Sequence, residues 1–127
     1  MTKEGKDLLL RDLSSRISHG VIVSCCDIVG EKVTSIDENG LVNNDYDIDE
    51  VKPFLFPLSS MTEEQQKEFD KVIEINLKVL SGDIDRLEAT AFEIDFYHRN
   101  HLDWRGLIPK GLAIDATGRN IYGEEEI

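Results

Sequence analysis

The sequence predicts an α+β fold: a small antiparallel SH3-like meander or partial barrel, flanked by an N-terminal helix and two C-terminal helices. Three observations carry this. Residues from Val21 to Leu58 are rich in β-branched and aromatic types, broken at short intervals by turn formers. Asn39-Gly40 is the strongest hairpin signal, because both central residues of a type I′ turn need positive φ. Thr62-Glu63-Glu64-Gln65 is a capping box, and the chain beyond it is mostly helical in pattern. At 127 residues the chain fits one domain, large enough to bury a core without disulfides or metals.

Taken in order, residues 1–20 predict a helix. Leu8, Leu9, Leu10, Leu13 and Ile17 recur at helical spacing, Thr2 suits the N-cap and Gly20 the left-handed C-terminal position. Residues 21–58 predict the antiparallel strands: one strand over Val21–Val29, a turn at Gly30, a second strand over Glu31–Asp37, and a third at Leu41-Val42-Asn43. Asn44–Glu50 is an acidic connector ending in one helical turn. The strand over Val51–Leu58 carries Pro53 and Pro57, each lacking a donor, which predicts a sheet edge or a bulge.

Residues 62–72 predict a helix, with Met61 as its hydrophobic staple. Over residues 73–80 helix and strand compete. Ile73, Ile75, Leu77 and Val79 alternate with Glu74, Asn76 and Lys78, and this period favours a strand. Ser81-Gly82-Asp83 turns the chain into a helix over residues 84–100, with Ile84, Leu87, Ala91, Ile94 and His98 on one face. Residues 101–127 predict an irregular tail docked on the core, fraying over Gly123–Ile127.

The charge balance narrows the function. Acidic residues number 26 against 14 basic, a net charge of −12, which repels phosphate backbones and anionic membranes and favours basic partners. Direct nucleic-acid binding is therefore disfavoured, and no apolar run reaches membrane-spanning length. The N-terminus has no signal-peptide pattern, and the two cysteines, Cys25 and Cys26, are adjacent, a spacing unsuited to a disulfide or zinc site. These features predict a soluble, cytoplasmic protein in which one cysteine fills core and the other is incidental.

Chemistry has few candidates. Asp95, His98, His101 and Asp103 offer two imidazoles and two carboxylates near a helix end, a set able to hold a divalent ion or a general base. The spacing is not that of a zinc protease, and His98 lies on the apolar stripe, where a hydrogen-bonded core histidine is the commoner case. Trp104 and Arg105 are residue types favoured at binding hot spots and form the candidate partner surface. Ser59 and Ser60 lack a nucleophile elbow, Gly106 and Gly111 lack a phosphate-loop pattern, and the Asp45–Glu50 acids lack the order of a calcium loop. No catalytic residue and no cofactor is predicted.

Three blocks, Met1–Leu13, Lys52–Gln65 and His101–Ala113, resemble in the same order a family of small uncharacterised proteins of gut Bacteroidales and their prophages. The resemblance implies an intracellular bacterial protein carried in part on mobile elements, and implies no catalytic residue or ligand. His101 falls in a shared block and His98 does not, which weakens the metal pair. The function expected is a non-enzymatic protein-interaction module of a bacterium or its phage. The alternatives are a nucleic-acid mimic that inhibits a DNA-binding or defence protein, and a small metal-dependent enzyme.

Overall fold

The computed structural model describes residues 1–25 and 28–122. It is a mixed α/β structure with three helices, a four-stranded mixed sheet and a two-stranded hairpin. Helix α1 spans Lys3–Arg16, and Thr2 caps it by accepting from the Gly5 N–H at 3.0 Å. A 3-10 turn over Ile17–His19 ends at Gly20, whose φ of 74° places it in the left-handed C-terminal position.

Strands β1 (Ile22–Cys25) and β2 (Ile28–Lys32) form an antiparallel pair. The single strand expected over Val21–Val29 is thus two. Cys25 is buried, while the reading of Cys26 lies outside the described residues. Gly30 is not the turn. Val23 pairs with Glu31 and Ser24 with Val29, so Gly30 is the extra residue of a bulge, and its φ of 90° is the conformation such a bulge requires. The expected second strand ends early, at Lys32, and only Ile36 bridges onward, to Val42.

Asn39-Gly40 does reverse the chain, but only Gly40 has positive φ. Asp37 completes that turn by accepting from the Asn39 and Leu41 N–H groups at 2.9 Å each. The turn with two positive φ values lies at Asn43 (55°) and Asn44 (59°), joining β3 (Leu41–Val42) to β4 (Tyr46–Asp47). Asn43 also ties this hairpin to β2. It accepts from the Thr34 N–H at 2.7 Å and donates to the Glu31 carboxylate and the Lys32 carbonyl.

After a 3-10 turn over Ile48–Glu50 comes β5 (Val51–Leu55), which lies inside the sheet and not at its edge. The sheet order is β2-β1-β5-β6, with β6 (Ile114–Asp115) parallel to β5, so the sheet is not purely antiparallel. Pro53 is tolerated because the two halves of β5 pair on opposite sides. Val51–Pro53 pair with β1, and Phe54 and Leu55 pair with β6. Continuing the β1 register past Val23 and Pro53 would set Ile22 against Phe54. The Tyr122 hydroxyl fills that step, accepting from the Ile22 N–H at 2.9 Å and donating to the Phe54 carbonyl at 2.8 Å.

Helix α2 runs unbroken over Glu63–Leu80, so the strand expected over residues 73–80 is helix. The capping box is formed in both directions: the Gln65 N–H reaches Thr62 Oγ1 at 3.1 Å, and the Thr62 N–H reaches Gln65 Oε1 at 2.9 Å. Once nucleated there, each further residue adds a hydrogen bond without a second nucleation cost. The apparent alternation hides two helical stripes. Phe69, Val72, Asn76 and Val79 form one, while Ile73, Leu77 and Leu80 form another about 100° away. Helix α3 spans Arg86–Arg99 and packs antiparallel on α2. Its buried residues are Ala89, Phe96, Tyr97 and His98, so the face expected to contain Leu87 and Ala91 is turned outward over its first two turns.

The apolar interior has two parts. One lies between α1 and the sheet and includes Leu9, Leu13, Val23, Val51, Leu55 and Leu107. The other joins α2 to α3 through Val72, Phe96, Tyr97 and Leu102, with Phe69, Met61 and Trp104 against it.

Candidate functional site

The segment after α3 begins with His101, which adopts a φ of 56° and reverses the chain. The chain then runs beside the end of β5. The Phe56 N–H donates to the His101 carbonyl at 2.9 Å, and the Asp103 N–H to the Phe56 carbonyl at 2.8 Å. Asp103 is buried and acts as a turn cap: its carboxylate accepts from the Leu107 and Ile108 N–H groups at 2.8 Å each. Trp104 stacks on Tyr97 (ring centroids 5.9 Å, planes 17° apart) and donates its indole N–H to His98 Nε2 at 3.1 Å. The Arg105 guanidinium lies over the indole, 4.2 Å from the ring centroid.

Arg105 also reaches back to α1, and there the segment meets the most unusual feature of the interior. Asp12 and Arg16, one helical turn apart, are both fully buried. Asp12 Oδ2 takes Arg16 Nε at 2.8 Å and Oδ1 takes Arg105 Nε at 3.0 Å. Arg16 also donates through Nη2 to the Leu102 carbonyl at 2.7 Å. One carboxylate thus holds two guanidiniums between the two apolar parts. Arg16 Nη1 has no hydrogen-bond partner among the described residues. A buried network of this kind is a poor source of net stability, but breaking it from one side strands buried charge.

His98 sits against this cationic group. Burial first, then the positive charges of Arg16, His19 and Arg105, lower its pKa to about 4, with Asp95 opposing. The imidazole is therefore neutral near pH 7, which is the state that accepts from Trp104.

The structure does not bring the four proposed metal residues together. His98 Nε2 is committed to Trp104, and Asp103 to two backbone N–H groups. His101 stacks on Tyr122 with centroids 3.6 Å apart, and Asp95 is exposed beside His19 (3.5 Å) and Arg99 (3.7 Å). Among the described residues no three His, Cys, Asp or Glu are placed to hold a metal ion. Trp104 and Arg105 are only partly exposed, and both make internal contacts.

Two surface features stand apart from this segment. The first is the free end of the α2–α3 hairpin, where Ile73, Leu77 and Leu80 of α2 and Leu87 and Phe92 of α3 are exposed; Leu77 is 58%, Leu80 80% and Leu87 78% accessible. Their i, i+4, i+7 spacing on α2 was readable as an amphipathic stripe once the segment is taken as helix. The second is a cleft of about 440 Å³ between the start of α2, the end of α3 and residues 118–122, lined by Arg99, Arg119, Asn120 and Thr62 among others. Nothing in the linear sequence joins those residues. No helix among the described residues is long and apolar enough to cross a membrane. Searches against protein-family models, curated proteins and solved structures find no match to this chain.

Proposed function

We propose that this protein is a non-enzymatic protein-interaction module, an acidic cytoplasmic accessory protein of a bacterium or its phage, whose binding element is the α2–α3 hairpin. The observation that carries this is the second apolar stripe of α2. Ile73, Leu77 and Leu80 lie to the side of the stripe that packs on α3, and with Leu87 they leave large apolar side chains exposed on the hairpin. Burying a fully exposed side chain of this size is worth roughly 1.5–3 kcal/mol and these would yield part of that each, so a group of them on one hairpin supports an interaction site.

The net charge of −12 suits a partner whose apolar groove has a basic rim. In this reading Trp104 and Arg105 anchor the base of α3 to α1, so the hairpin projects from a fixed support. The strand meander is taken as SH3-like on its short strands, tight turns and the bulge at Gly30. The bacterial or prophage setting follows from the resemblance of the three sequence blocks.

The test is affinity capture from the native host with three proteins: the wild type, Leu77→Glu/Leu87→Glu, and Lys110→Gln as a surface control. The reading expects a discrete partner retained by the wild type and the control and reduced at least about tenfold by the double variant. The same proteins captured equally by all three would overturn it.

A further inference from the structure

We propose that the cleft between the start of α2, the end of α3 and residues 118–122 binds a small organic phosphate. The first ground is its charge. In a chain with 26 acidic residues among 127, ten lining residues would on average include about two carboxylates. Among the described residues this lining has none, and it has two arginines, Arg99 and Arg119.

The second ground is the supply of uncommitted donors. Arg119 is exposed and makes no direct ion pair with the described residues, although the Asp115 carboxylate is near enough to feel its charge; its guanidinium lies 5.9 Å from the centre of the Phe54 ring. Arg99 is held from behind, with Nη1 on Glu68 at 2.8 Å and Nε 3.7 Å from Asp95, which orients the fork and leaves Nη2 available. Thr62 Oγ1 accepts from the Gln65 N–H, so its own hydroxyl proton remains to be given. The Asn120 amide adds two further donors. Guanidinium forks match the oxygens of a phosphate.

The third ground is shape. About 440 Å³ exceeds what a bare phosphate fills and lies within the range of small-molecule sites. Part of the lining is aromatic: the stacked rings of His101 and Tyr122, with Phe56 beside them at 6.2 Å from Tyr122. That surface suits the carbon body of a phosphorylated sugar or similar metabolite, with its hydroxyls toward the polar rim.

The experiment is an amide-resolved NMR titration of the full chain at fixed ionic strength. Four probes are compared: glucose 6-phosphate, glucose, inorganic phosphate and citrate. Glucose 6-phosphate is expected to shift the Thr62, Arg119 and Asn120 amides saturably and more tightly than inorganic phosphate, with glucose silent and citrate weaker. Arg119→Gln and Arg99→Gln should each weaken binding about tenfold, while Lys110→Gln and the Leu77→Glu/Leu87→Glu hairpin variant leave it unchanged. The proposal fails if no phosphate shifts these amides saturably, if citrate binds as well as the phosphate ester, if inorganic phosphate binds equally, or if Arg119→Gln binds as wild type.

Discussion

His98 predicts a specific acid sensitivity. It is 4% exposed, and its pKa falls from an ordinary 6.5 to about 4 in the fold. Below pH 6.5 the unfolded chain takes up a proton on this ring and the folded protein does not. The stability contributed by the neutral imidazole is therefore complete above pH 6.5 and is lost as pH falls through about 4. Between pH 7 and pH 5 the loss from this one group is about 2 kcal/mol. Denaturant unfolding followed by the fluorescence of Trp104, the sole tryptophan, measures it. His98→Gln is the matched variant: its side-chain oxygen can accept from the Trp104 indole and it does not titrate. Acids and bases elsewhere act in both proteins, so the difference isolates residue 98. The wild type should lose about 2 kcal/mol more than the variant from pH 7 to pH 5. Equal losses would refute the argument that burial beside Arg16 and Arg105 keeps this ring neutral.

Other perturbations follow from the same contacts. Asp12→Ala strands two guanidiniums in the interior and should destabilise the fold by about 3–5 kcal/mol in denaturant unfolding. Tyr122→Phe leaves the Ile22 N–H and the Phe54 carbonyl without their bridge and should cost about 1–3 kcal/mol, with faster amide exchange at Ile22. Asn43→Ala removes bonds to Thr34, Glu31 and Lys32 and places a less tolerant residue at a φ of 55°; a loss of about 2–3 kcal/mol is expected from thermal unfolding. Leu80→Lys, on the exposed stripe, should change stability by less than about 0.5 kcal/mol.

Features governed by neighbouring residues were legible in the sequence. Thr2, Gly20 and the Thr62–Gln65 box act through neighbours three or four positions away, and the structure shows each of them where the local chemistry puts it. What escaped depended on distant partners. Pro53 reads as an edge signal because sequence does not show that β1 and β6 pair with different halves of the strand. The alternation over residues 73–80 fits a strand as well as two helical stripes, and the capping box ten residues earlier decides it. Gly30 signals positive φ, but a turn and a bulge require the same conformation, and only the pairing of Ser24 with Val29 separates them. In the same way, the polar residues of the His98–Arg105 segment were visible as a group. Their partners Asp12 and Arg16 lie some 90 positions earlier and carry no local mark.

The most direct test of the proposed role is a photo-crosslinking residue placed at Leu77 in cells of the native host, with the same residue at Lys110 as the comparison. If the exposed stripe of α2 is the binding surface, position 77 gives a discrete adduct with one protein and position 110 does not. No adduct at position 77, or the same adducts from both positions, would contradict it.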